Sequence, residues 1–134
     1  MATALARWEK VRRASELKSR LGTADRRIMW LFADRRPRTL REIADALGLE
    51  QSTVNRQVNA ALTEGLLVRF REPGQSARLV TVTDEGLERF SQDLSLHLGL
   101  FEQALGQLSA EDQTRMIESL ETFVAHYGEA VARL

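Results

Sequence analysis

Apolar residues recur at steps of three and four from the start of the chain. Leu5, Trp8, Val11, Ala14, Leu17 and Leu21 form an irregular stripe that predicts an amphipathic helix over about 4–20, ended by Gly22. Thr23 or Asp25 is placed to cap a second helix. Its Ile28, Met29, Trp30, Leu31 and Phe32 are apolar around much of the circumference, which predicts burial. After the basic loop Arg35-Arg36-Pro37-Arg38, the run Thr39-Leu40-Arg41-Glu42 is a capping box. It opens a short helix with Leu40, Ile43, Ala44 and Leu47 inward, and Gly48 suits the left-handed position that ends it. A tight turn, Leu49-Glu50-Gln51, leads into another helix running to about Glu64 and stopped by Gly65.

The period then changes to two. Leu67-Val68-Arg69-Phe70-Arg71 reads as a strand with Arg69 and Arg71 on one side, 72–76 is turn material, and 79–82 is a second, β-branched strand. Together they predict a hairpin. Thr83 caps a long helix in which Leu87, Phe90, Leu94, Leu98, Phe101, Leu105 and Leu108 recur at near-heptad spacing. Ser109 with Asp112 opens a last helix carrying Met116, Leu120, Phe123, Val124, Tyr127 and Val131. The expected architecture is mainly α: a winged helix-turn-helix with a two-stranded β wing (23–83), flanked by N- and C-terminal helices (1–22 and 84–134).

Two helices joined by a short turn with Gly make a helix-turn-helix. Turning the second helix at about 100° per residue puts Val54, Val58, Ala61 and Leu62 on the core side. Ser52, Asn55, Arg56, Asn59 and Thr63 fall on the other side, with no acidic residue before Glu64. This is the chemistry that base edges in the major groove require. Arg56 can pair bidentately with guanine O6 and N7, and Asn55 or Asn59 with adenine N6 and N7. Ser52 and Thr53 sit at the helix N-terminus, where free N–H groups favour phosphate. Arg69, Arg71 and Arg78 flank the hairpin turn, within reach of phosphate or the minor groove. The plainer alternatives are an ordinary polar helix face and arginines that protect an edge strand.

Net charge is zero, which at first argues against a polyanionic partner, but its distribution does not. Residues 1–78 hold 16 Lys/Arg and 9 Asp/Glu, a balance of +7; residues 79–134 hold 3 and 10, a balance of −7. Such asymmetry points to nucleic acid, since only one face needs to meet phosphate. The 134 residues, 43% of them hydrophobic, suffice for one domain with its own core. With no cysteine, disulfides and thiol-based sensing are excluded. Neither a signal peptide nor an 18-residue apolar span is expected, so the chain is read as soluble and cytoplasmic, with no membrane partner.

In order of elements the chain resembles the multiple-antibiotic-resistance regulator (MarR) family. The local matches are LREIADALGLEQSTVNRQVNAALTEGLL and LVTVTDEG. The resemblance implies a homodimer whose first and last two helices interlock, and transcriptional control relieved by a small ligand or by oxidation. Carried over, Ser52, Thr53, Asn55, Arg56 and the wing arginines are expected to touch DNA. Two departures matter. Gly74-Gln75-Ser76 stands where the family often has Asp-x-Arg, and Glu50 where many relatives have a Ser cap.

The near-heptad row needs burial, and Leu96 and Leu100 lie off it, so the long helix is apolar on more than one side; homodimerisation is the natural solution. Trp8, Met29, Trp30, His97 and Phe101 are candidates to line an effector cleft, although each is more often core. His97 and His126 have no partner at metal-ligand spacing, so no metal or cofactor is expected. No phosphate loop or nucleophile motif supports an enzyme. The competing function is a winged helix that binds protein instead of double-stranded DNA.

Overall fold

The computed structural model describes residues 1–134. Its elements are α1 (Ala2–Glu16), α2 (Thr23–Leu31), α3 (Leu40–Leu47), α4 (Gln51–Thr63), β1 (Leu67–Arg71), β2 (Arg78–Val82), α5 (Asp84–Leu105) and α6 (Ala110–Val131). The chain divides into two compact units, 1–96 and 97–134, with α5 continuous across the division. The sequence pattern put the junction near 83/84. The first half of α5 belongs with the winged helix, because Phe90 and Asp93 are buried there.

In the first unit the core is built where the apolar stripes converge. Ile28, Met29 and Phe32 of α2 and its end, Ile43 and Ala44 of α3, and Val54, Val58 and Ala61 of α4 are buried together. Leu66, Leu67 and Val80 close it from the hairpin. Trp30 departs from the expected all-round burial of α2: it is 58% exposed, with its ring edge-on to Phe90 at 5.2 Å.

Local signals act as read. Thr39 accepts from the Glu42 N–H while Glu42 accepts from the Thr39 N–H, completing the capping box. Those bonds hold the Glu42 carboxyl below its ordinary range. Gly48 takes φ 61° at the end of α3, a conformation that costs a side-chain-bearing residue. Ser109 caps α6 through Asp112 N–H. The hairpin is antiparallel, Leu67 facing Val82, Arg69 facing Val80 and Arg71 facing Arg78.

Three local expectations change. Helix α1 stops at Glu16, not near residue 20. The amides of Arg20 and Leu21 are taken by Asp93 of α5, at 2.9 and 2.8 Å, which draws 17–21 out of helical register. Asp93 is only 2% exposed, and its two amide partners are what make a carboxylate tolerable there. The N-cap of α2 is Gly22 and makes no side-chain cap bond; Thr23 is already helical. Finally, Arg38 pairs with Val80 as an isolated bridge, adding a one-residue third strand at the other edge of β2.

The corner between wing and α5 is tight. Thr83 Oγ1 donates to Gly65 O at 2.6 Å and accepts from Gly86 N–H at 2.9 Å, capping α5 as expected. In the second unit α6 buries no side chain, nor does α1 in the first. No helix is long and apolar enough to cross a membrane.

Candidate nucleic-acid interface

Helix α4 is anchored through Val54, Val58 and Ala61, and Leu62 packs at the core's edge. The anchoring fixes which face remains outside. Ser52, Asn55, Arg56, Asn59 and Thr63 are exposed, and Thr53 is half-buried. No carboxylate lies on that face. Arg56 forms no salt bridge, so its five donors are open to a ligand.

The wing stands differently from the pattern of alternation. Arg71 and Arg78 are exposed, face one another across the ladder, and lack a carboxylate partner. Like charges directly opposite are unfavourable in a bare sheet; an anion between them would reverse the sign. Gly74 turns the hairpin at φ 81°, and Gln75 Nε2 donates to Glu72 Oε2 at 2.8 Å, leaving a carboxylate at the tip. Arg69 is half-buried and already engaged: its guanidinium donates to Asn59 Oδ1 at 3.0 Å.

Several other arginines are tied down. Arg12 and Arg13 meet Glu9, Arg26 meets Glu16, and Arg89 meets Glu85. Arg38 grips Asp34 at 2.7 Å and lies over the Phe32 ring at 5.5 Å, holding the Asp34 carboxyl well below the usual range. The basic loop thus contributes Arg36 more than Arg38 to any outward field.

An open groove of about 810 Å³ lies at the helix-turn-helix turn, lined by Arg41, Ala44, Asp45, Gly48, Leu49, Glu50, Gln51 and Thr53. Arg41 is an exposed guanidinium in this groove and is not among the site residues expected from the sequence. Glu50 is the N-cap of α4 without a side-chain cap bond, and with Asp45 it sets negative charge against Arg41 in this groove.

The proposed cleft residues fall in different places. Met29 is fully buried core, Trp8 and Trp30 are half-exposed in the first unit, and His97 and Phe101 belong to the second. His126 lies 3.5 Å from Glu129 on α6.

Residues 22–68 match the family described as winged helix-turn-helix DNA-binding. No curated protein matches the sequence significantly. YusO from Bacillus subtilis superposes with a TM-score of 0.81 at 16% identity, covering 92% of this chain and 91% of that one. A Staphylococcus aureus MepR mutant bound to an oligodeoxyribonucleotide gives 0.70 at 17%, covering 95% and 98%. The PcaV transcriptional regulator from Streptomyces coelicolor, in complex with its natural ligand, gives 0.63 at 17%, covering 91% and 89%. The resemblance read from the sequence holds at the level of fold: the chain has a winged helix-turn-helix fold similar to that of these structures.

Proposed function

We propose that the protein is a MarR-family transcriptional regulator that binds duplex DNA as a homodimer. The observation that carries this is the exposed, acid-free face of α4, with Ser52, Asn55, Arg56 and Asn59, on a chain whose wing also carries the unpaired arginines Arg71 and Arg78. Donors and amides at that spacing suit base edges in the major groove, and unpaired guanidiniums suit phosphate. The likeness to a MepR mutant solved with an oligodeoxyribonucleotide supports the same reading.

Dimerisation is argued from what is left uncovered. Leu5, Trp8 and Val11 of α1 are half-exposed or more. So are Met116, Leu120, Phe123, Val124 and Tyr127 of α6, and Leu98 near the end of α5. Monomers rarely leave so many large apolar side chains uncovered along whole helix faces. A second copy offers the same apolar faces with two-fold symmetry. It would set two α4 helices into successive major grooves about 34–36 Å apart, on a pseudopalindromic site. A small-molecule effector is the regulatory input, in keeping with PcaV and its natural ligand. The expected location is the cytoplasm, where such DNA lies.

A salt-titrated anisotropy experiment with labelled duplexes tests the DNA reading. Binding should weaken steeply with salt, log K falling by roughly 0.9 per phosphate contact for each unit of log[salt]. Absence of binding to any duplex at low salt would refute it in favour of a protein partner. Sedimentation should give a dimer at micromolar concentration, and a stable monomer would remove that half of the proposal.

A further inference from the structure

We propose that Arg69 is a positioning residue: it reads no DNA itself, but sets the base preference of α4 by orienting the amides of Asn59 and Asn55. The inference rests on the DNA-binding reading above and deepens it at the same site. A guanidinium has donors only, so the side chain that meets it must offer an acceptor. Arg69 donates to Asn59 Oδ1 at 3.0 Å, which fixes the rotation of the Asn59 amide. Its Nδ2 then faces Asn55 and donates to Asn55 Oδ1 at 3.3 Å.

The relay therefore has a direction. It runs from the cation through one amide to the next, and a charge-assisted first bond makes the reverse orientation unfavourable. At its end Asn55 turns its acceptor back toward Asn59, and its Nδ2 group remains without a protein partner at the surface. The backbone of Arg69 is held by the ladder, facing the fully buried Val80, with the buried Leu67 two residues away. Asn59 is likewise placed by a helix whose Val58 is fully buried.

With Arg56 next to it, the outer face of α4 thus presents N–H donors. In the major groove guanine offers two acceptors, thymine and adenine one each, and cytosine its N4 amino donor. Asn55 should consequently exclude cytosine at the position it faces. Without Arg69 the Asn59 and Asn55 amides rotate freely, either end turns outward, and the exclusion weakens.

The test is selection from a random duplex pool, with salt titration, for the wild type, Arg69→Ala, Arg69→Lys and Asn59→Ala, each checked for wild-type folding by circular dichroism. Wild type should exclude cytosine at one position per half-site by on the order of tenfold. Both alanine variants should relax that same position to within about twofold while the log–log salt slope stays unchanged, and Arg69→Lys, still a donor, should recover part of the exclusion. If Arg69 instead contacts phosphate, Arg69→Ala would lower the slope by about 0.9 and leave base preference intact, overturning the inference. A wild type that binds without excluding cytosine overturns the inference alone, whereas one that binds no duplex overturns it together with the DNA reading.

Discussion

Replacing Gly86 by alanine adds one methyl group where the backbone leaves no room. An alanine Cβ at this position would lie 2.3 Å from Leu66 O, 3.0 Å from Leu66 C and 3.1 Å from Leu66 Cα. Carbon–oxygen contacts settle at about 3.3 Å or more, so α5 and the start of β1 must part by about 1 Å. What stands in the way is backbone that is itself committed. Leu66 is fully buried, its N–H donates to Ala61 O at 2.9 Å, and its carbonyl accepts from Thr83 N–H at 3.0 Å. Over-packing of a core contributes about 1–3 kcal/mol of destabilisation. Loss of the Thr83 N–H bond to Leu66 and of the Gly86 N–H bond to Thr83 adds about 1 kcal/mol each. Alanine's better helix propensity returns about 1 kcal/mol. The net is a loss of about 3 kcal/mol, or on the order of 10 °C in Tm for a chain of this size. Urea denaturation followed by circular dichroism, at one protein concentration for both proteins, measures it. A midpoint equal to wild type would refute the packing argument, since Gly86 is helical and nothing but the close approach opposes a side chain there.

Asp93→Ala removes the acceptor of two buried or half-buried amides and should destabilise by about 3 kcal/mol; an unchanged urea midpoint would count against that role. Asp25 is pushed above its ordinary carboxylate range, first by burial and then by the charge of Glu64. With the folded value above the unfolded one, its ionisation opposes folding at neutral pH, and the penalty fades as pH falls through the folded value. Asp25→Asn should therefore raise Tm at pH 7 and lose that advantage below about pH 4; a lower Tm at pH 7 would contradict the sign. Arg56→Ala should weaken binding to a selected site by about 1–3 kcal/mol and relax preference at one position, and an unchanged mobility-shift titration would exclude it from base reading. Phe123 is stacked on Tyr127 on the open face of α6; Phe123→Glu should convert the proposed dimer to a monomer in sedimentation, and an unchanged sedimentation coefficient would remove that face from the interface.

Much of this protein was legible along the chain because its signals are local. The Thr39/Glu42 box, the left-handed Gly48 and the Ser109 cap all act within a few residues, and each forms as the sequence predicts. The polar face of α4 was legible for the same reason: once Val54, Val58 and Ala61 must be buried, helical geometry dictates what stays out.

What escaped the sequence is every feature joining residues far apart. The early end of α1 depends on Asp93, 73 residues beyond Arg20, and no periodicity in either segment reveals that bond. Arg69 alternates with Arg71, and that spacing reveals no neighbour for its guanidinium. Only the packing of β1 against α4 brings it to Asn59 and makes it part of the hydrogen bonding on the outer face of α4. Gly86 reads as a mere helix-start glycine until the hairpin lays Leu66 against it. Local propensity and side-chain type thus determined the elements and the chemistry of the exposed face. Tertiary structure decided which polar groups are spent inside the protein and which remain for a partner, because a donor's availability depends on neighbours that chain folding alone brings within 3 Å.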